Sequence, residues 1–296
     1  MLIIERLEQC DFSASEKTLI DYILKAKESI KDKTTKEIAK ETFTSASTLV
    51  RIAQKLGFSG WNELKESYLK ELEYLNSHFD SIDANIPFNK NDSILSIANK
   101  IANLQKEAIQ DTLSLITYKD LEKAIKIITN SSYINLFAVS NNALISQEFK
   151  HNMSRIGKRV EMCTLQGEQT FAAYLAEKSS CAMIISYSGE TPSLKNVVSA
   201  LKHKNIPIIA ITSIGGNSLS EDADCVLRIC TREKLYSKIA TFTTSTSIEY
   251  VLNVIYSCIF SLNYDQNLNS RIKASHYIES GRYSTVDIIK EDFKDK

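Results

Sequence analysis

The spacing of apolar residues changes once along this chain, and that change constrains the fold more than any single motif does. As far as Asn130, apolar side chains recur at three- and four-residue steps, the period of helices with one buried face. Beyond Asn130 they come in short continuous runs at 133–139, 160–163, 182–186, 206–212 and 225–229. Helical patterns at 143–156, 170–176 and 193–203 separate most of those runs. Strands alternating with helices at this spacing imply a doubly wound, parallel five-stranded sheet with helices on both faces. The chain therefore reads as an all-α front joined to an α/β domain, and its 296 residues suffice for both.

Only 8 glycines and 3 prolines interrupt the chain, so helices can run long between breaks. From Ser13 to about Asn76 every segment reads as helix. Glu16, Leu19, Ile20, Ile23 and Leu24 form one stripe behind a Ser13 or Ser15 cap. Periodicity lapses over 77–92, which contains Pro87, and resumes at Ser93. The expected organisation is a head over 1–76, a linker and connecting helix over 77–106, a sheet domain over 107–265 and a charged tail over 266–296.

Within the head, residues 34–58 pair a short helix carrying Ile38 and Ala39 with a second carrying Leu49, Ile52, Ala53 and Leu56. The small Ala39 allows a close crossing. The second helix is expected to turn Ser45, Ser47, Thr48, Arg51 and Lys55 outward, hydroxyl and cationic groups suited to phosphate oxygens and base edges. Thr35, Lys36 and Thr44, on the first helix and in the turn, complete the candidate DNA contacts. Lys+Arg 36 balances Asp+Glu 36 overall, so a nucleic-acid binder must concentrate its charge. Residues 25–55 do so modestly, with eight cationic side chains against four acidic ones.

In the second half, residues 184–191 end a strand, turn at Gly189 and open a helix at Pro192, a residue well placed in a first turn. Ser186, Ser188 and Thr191 bring hydroxyls to a helix N-terminus, an arrangement that binds anions through donors and the helix dipole. A plain hydroxyl cap with no ligand has the same local sequence.

These residues carry a resemblance. Ser15-Glu16-Lys17, Ile38-Ala39, Ser45 with Thr48 and Arg51, Lys55-Leu56-Gly57-Phe58 and Gly60-Trp61 together resemble the N-terminal domain of the RpiR/MurR family of bacterial sugar-phosphate regulators. The run from Ser186 to Thr191 is similar to the phosphate loop of SIS (sugar isomerase) domains. Arg155-Ile156-Gly157, residues 210–213 with 218–224, and Tyr236-Ser237-Lys238 agree with the same family. The resemblance implies an all-α helix-turn-helix domain followed by an α/β SIS domain. It also implies a double-stranded DNA operator, a phosphorylated sugar effector and a homodimer or homotetramer. Where the family usually has a glycine-rich turn after the first strand, this chain reads Ala138-Val139-Ser140-Asn141-Asn142. Counting back from Arg155 puts Asn142 at the usual phosphate-serine position. The candidate ligand residues are therefore Ser140, Asn141, Asn142, Ser186, Ser188, Gly189, Glu190 and Thr191.

Other classes are disfavoured. The stretch 248–260 is too short and polar to span a bilayer, which takes about 20 apolar residues, and suits a buried or subunit-interface helix. No secretory leader opens the chain, and a cytoplasmic protein with reduced, mostly buried cysteines is expected. Six cysteines and four histidines complete no metal-ligand spacing, so neither metal nor cofactor is expected. The alternative function is a phosphosugar isomerase or lyase with a DNA-binding head, using Glu168 or Glu190 as base. Neither has a sequence neighbour that identifies an acid–base pair, so sensing without catalysis is the expectation.

Overall fold

The computed structural model describes residues 2–76, 82–165, 167–279 and 281–290. The head consists of α1 (Ile3–Gln9), α2 (Ala14–Ala26), α3 (Thr35–Glu41), α4 (Ala46–Lys55) and α5 (Trp61–Asn76), with a 3-10 turn at Lys27–Ile30. Helix α1 precedes the first helix that the periodicity predicts. Two starts are capping boxes: the Ser13 amide donates to Glu16 at 2.9 Å and the Thr34 amide to Glu37 at 2.7 Å. Leu19, Ile20, Ile23, Ile38, Leu49, Ile52, Leu56, Trp61 and Leu64 close one core, as the helical stripes require.

The second unit opens with α6 (Ile94–Leu115) and α7 (Tyr118–Thr129), started by Ser93 and Thr117, whose hydroxyls accept the Ser96 and Asp120 amides. Five strands follow: β1 (Ile134–Ala138), β2 (Val160–Met162), β3 (Cys181–Ile185), β4 (Ile208–Thr212) and β5 (Cys225–Arg228). They alternate with α8 (Asn141–Ser154), α9 (Gln169–Leu175), α10 (Pro192–His203) and α11 (Ser218–Asp222), and α12 (Phe242–Ser261) and α13 (Tyr264–Ile278) close the chain. All pairings are parallel, in the order β2-β1-β3-β4-β5. Five strands and a doubly wound sheet are what the apolar runs predicted.

Side chains alternate across this sheet with period two. Leu136, Met183, Ile185, Ile209 and Leu227 meet Ala124 and Ile128 of α7, Met153 of α8 and Ile248, Val251, Leu252 and Ile255 of α12 on one face. Phe137, Ala182, Ile184, Ile208 and Ala210 meet Ala173 of α9 and Leu194, Val197 and Leu201 of α10 on the other. Burial on both faces explains why β1, β3 and β4 read as unbroken apolar runs. The greasy stretch 248–260 thus spends most of its apolar side chains on the domain's own core.

Residues 77–81 of the expected linker lie outside the described residues. Residues 82–92 are joined to the sheet domain: the Ile239 amide donates to the Asn85 carbonyl at 2.9 Å, and α6 packs along α12. Residues 280 and 291–296 of the expected tail are also outside. Before them α13 forms a regular helix without a buried side chain, and a 3-10 turn at Asp287–Ile289 follows residue 280.

Candidate functional site

In the head, α3 and α4 cross where Ala39 is buried, and the turn between them is made by the backbone. The Thr42 amide donates to the Ile38 carbonyl at 3.0 Å and the Thr44 amide to Ala39 at 2.9 Å, with Phe43 at φ +50° between them. That left-handed residue ends α3 as a glycine would. Hydroxyls of Thr42 and Thr44 lie 2.8 Å apart. Ser45 caps the start of α4, and its hydroxyl is 2.8 Å from Ser47 and 2.9 Å from Thr48.

Lys36, Ser45, Ser47, Arg51 and Lys55 are exposed, and Thr35 and Thr44 half-buried. Thr48 is not on the outward face, contrary to the sequence expectation: it is 2% exposed. The helical wheel places it at the rim of the apolar stripe, and its hydroxyl accepts from the Arg51 guanidinium at 3.1 Å. It braces Arg51 instead of projecting. Lys55, though exposed, points back into the head. Its ammonium donates to the Asp11 carbonyl, lies 4.7 Å above the Phe12 ring and 4.0 Å from Glu16. The outward polar surface of this pair therefore carries Ser45, Ser47 and Arg51, with Lys36 exposed on α3.

In the sheet domain, strand order reverses between β1 and β3, and their last residues are paired, Ala138 with Ile185. The loops at 139–142 and 186–191 consequently leave side by side at the carboxyl edge, where open α/β sheets bind ligands. The two sets of candidate ligand residues thus follow neighbouring strand ends.

The 186–191 loop is folded on itself. Ser186 is buried, its hydroxyl 2.8 Å from that of Thr191 and 3.2 Å from the Gly189 amide, which donates to it. The Ser188 hydroxyl accepts the Glu190 amide at 3.2 Å. Gly189 has φ +68°, and a Cβ there would stand 2.0 Å from the Asn217 carboxamide oxygen, so any other residue would be strained and would have to displace Asn217. A cavity of about 240 Å³ lies against this loop, lined by Ser186, Gly189, Thr191, Lys195, Ser218 and Asp222. A larger one, about 510 Å³, is elsewhere, beside Tyr133, Arg159 and Met162 at β1–β2. Convergent hydroxyls, not volume, single out the smaller cavity.

Glu190 is engaged. Its carboxylate accepts from Lys195 at 2.7 Å and from the Ser218 amide and hydroxyl at 2.7 Å each. The Lys195 ammonium and then the Ser218 amide hold its carboxyl down to about 2. Glu168 caps the start of α9 and is exposed. The Glu190 carboxylate is thus committed to protein donors.

On the neighbouring loop, Ser140 takes φ +53° and ψ −132°, a backbone that glycine adopts far more readily. A positive-φ turn thus stands on a serine at the place where the resemblance leads one to expect glycine. The Asn141 carboxamide donates to Thr241 at 3.1 Å and Ser245 at 2.9 Å, tying the start of α8 to the start of α12. Asn142 is half-buried, and its carbonyl accepts the Ser146 hydroxyl at 2.7 Å.

The most deeply committed polar group was not a sequence candidate. The Glu233 side chain is fully buried at the N-terminus of α12. Its carboxylate accepts the Thr243 amide at 2.6 Å, the Thr244 amide at 3.2 Å and both threonine hydroxyls at 2.9 and 2.7 Å. Lys238 stands 3.2 Å away. The Tyr187 hydroxyl donates to the Glu233 carbonyl at 2.7 Å and accepts its amide at 3.0 Å. Burial raises the Tyr187 phenol well above the usual range, which keeps it a donor. A cluster of hydroxyl residues at 241–247 before an apolar helix, with an acid upstream, was the available signal.

A helical head whose α3–α4 pair presents hydroxyls and a guanidinium, joined to a parallel sheet with a hydroxyl-lined crevice, defines a DNA-binding transcription regulator with a separate second domain. Comparison with known families agrees: a model described as a helix-turn-helix domain, rpiR family, matches residues 1–74, and the SIS domain model matches residues 127–254. The chain belongs to the rpiR helix-turn-helix family, in the form that carries a SIS domain. Among solved structures, the chain is similar to the Vibrio vulnificus NanR protein complexed with ManNAc-6P. Identity is 19% over 95% of this chain and 100% of that one, with a TM-score of 0.58. It is also similar to the sugar isomerase domain of an RpiR transcription factor from Sphaerobacter thermophilus, at 15% identity over 61% of this chain and 98% of that one, TM-score 0.54. A Listeria monocytogenes protein provisionally described as a sugar-phosphate isomerase matches at 15% over 64% and 100%, TM-score 0.54. Among the described residues, no helix is long and apolar enough to cross a membrane.

Proposed function

We propose that this chain is a cytoplasmic, non-enzymatic regulator of sugar or amino-sugar genes that reads an operator through α3–α4 and responds to a phosphorylated sugar. The phosphate would sit at Ser186, Ser188 and Thr191 around Gly189, with Asn142 and the 140–141 turn completing the crevice. One observation carries this reading: the Ser186 and Thr191 hydroxyls meet 2.8 Å apart on a glycine turn at the start of α10, at the strand-order reversal, with Ser188 on the same turn. Hydroxyls rotate to donate to a dianion, and the helix dipole favours its charge. Sensing is preferred over isomerase chemistry because Glu190 is saturated by Lys195 and Ser218 while Glu168 is an exposed cap. Two copies would present two heads to a pseudo-palindromic site. The effector can shift DNA affinity only by binding two arrangements unequally.

The test is a thermal-shift screen of the full chain against hexose, pentose, amino-sugar and disaccharide phosphates. The Vibrio vulnificus complex puts ManNAc-6P first in that screen. A stabilising sugar phosphate is expected, and Ser188→Ala should remove the shift while leaving DNA affinity intact. An undiminished shift in Ser188→Ala would take this loop out of the site.

A further inference from the structure

We infer that residues 231–241 carry the state of the effector loop to the chain that leads to the head, with Tyr187 and Asn85 as the positioning residues at its two ends. The inference rests on the effector reading above and adds the route of its regulation. One end of the segment is held by the loop itself. Tyr187 lies between Ser186 and Ser188, and its hydroxyl makes both backbone bonds to Glu233, at 2.7 and 3.0 Å. A loop that moves to take a dianion moves that hydroxyl.

The other end is held by the residues just after the head. The Asn85 carboxamide accepts the Lys234 amide at 2.7 Å, and its carbonyl accepts the Ile239 amide at 2.9 Å. Arg232, almost fully buried, donates to the Ile82 carbonyl at 3.2 Å and to Glu107 of α6 at 2.7 Å. Between these ends the segment is stiff. The Glu233 carboxylate is fixed to four donors of Thr243 and Thr244, so a shift at Tyr187 cannot be absorbed by local slack. Ile82 follows the last residue of α5 by only six positions. A few tenths of an ångström at Tyr187 therefore reach residues 82–85 through a short chain of hydrogen bonds. Coupling of this kind is established by perturbing one end and reading the other.

The experiment is amide-resolved hydrogen exchange on the full chain, with Tyr187→Phe and Asn85→Ala. Tyr187→Phe keeps the ring and deletes both bonds to Glu233. Exchange at Lys234 and Ile239, which Tyr187 does not contact, should rise about fivefold, the order expected from weakening one or two hydrogen bonds. Asn85→Ala should raise exchange at Glu233 in return. A rise confined to each variant's own partners would overturn the inference. The second arm uses ManNAc-6P and inorganic phosphate as probes. In the wild type, protection should change at 186–191 and at 82–92 together; in Tyr187→Phe the change at 186–191 should persist and that at 82–92 disappear. Protection at 186–191 without any at 82–92 in the wild type sinks the relay and leaves the effector site standing. No change at 186–191 with either probe sinks both.

Discussion

Replacing Gly189 by alanine is the sharpest perturbation of the crevice. Two costs add. An L-residue at φ +68° costs roughly 1–2 kcal/mol over glycine. The new methyl would also stand 2.0 Å from the Asn217 oxygen, which cannot simply rotate away. Its carboxamide donates to Thr212 at 3.1 Å and accepts the Ser220 amide at 2.9 Å. Losing both bonds costs about 1 kcal/mol each, so the whole change comes to about 3 kcal/mol. For a domain of this size that lowers the melting temperature by about 6–12 °C. The chain supplies its own control, because its single tryptophan, Trp61, lies in the core of the head. Tryptophan fluorescence should therefore keep its urea midpoint while far-UV ellipticity shows an earlier transition of the sheet domain. Asn217→Ala removes the colliding atoms and should itself cost about 2 kcal/mol. The double variant should then lie within about 1 kcal/mol of Gly189→Ala alone instead of at the sum. Strict additivity, or a Gly189→Ala loss below about 1 kcal/mol, would show that neither the backbone nor the contact is limiting.

Four further outcomes follow from the same geometry. Ser140→Gly should raise the stability read from the ellipticity transition by about 1 kcal/mol, since the wild-type serine sits at φ +53°, and a loss of stability would refute the strain. Arg51→Ala should weaken operator binding by about 1–3 kcal/mol in a fluorescence-anisotropy titration. Lys55→Ala should instead leave DNA affinity within about twofold and shift the Trp61 transition, because that lysine is spent on Asp11, Phe12 and Glu16. Glu190 sits at about 2, below its ordinary 4.5, so its ionised form is the one the fold favours. Its contribution is whole above pH 4.5 and fades as pH falls toward 2. The stability gap between wild type and Glu190→Gln should close over that window, and it stays under about 1 kcal/mol because the pair is half exposed to solvent. A gap that widens on acidification would contradict the assignment.

The parts of this molecule that were legible beforehand are those governed by a local period. Ile184, Ile185 and their neighbours run unbroken because helices cover both faces of β3, and this needs no knowledge of which helices. The turn at Gly189 and the start of α10 at Pro192 are likewise written in adjacent residues. What remained hidden depends on meetings across the chain. Thr48 is one position of a helical wheel, at the rim of the apolar stripe, and only the packed head decides that it is covered. Lys55 has the composition of a DNA contact, yet residues 11–16, more than a turn away in another helix and its lead-in, claim it. Glu233 and Tyr187 are 46 positions apart and share two hydrogen bonds. An isolated glutamate reads as a solvated surface charge, because burying an unpartnered carboxylate is prohibitive. The threonine amides and hydroxyls at the head of α12 make the burial tolerable, and a helix start that demands an acid ten residues upstream leaves only a faint compositional mark. The same feature that conceals Glu233 in the sequence gives it mechanical authority in the fold. A carboxylate fixed by four donors makes a strut of the connection between β5 and α12, and a strut bonded through Tyr187 to the 186–191 loop has to move with it or break.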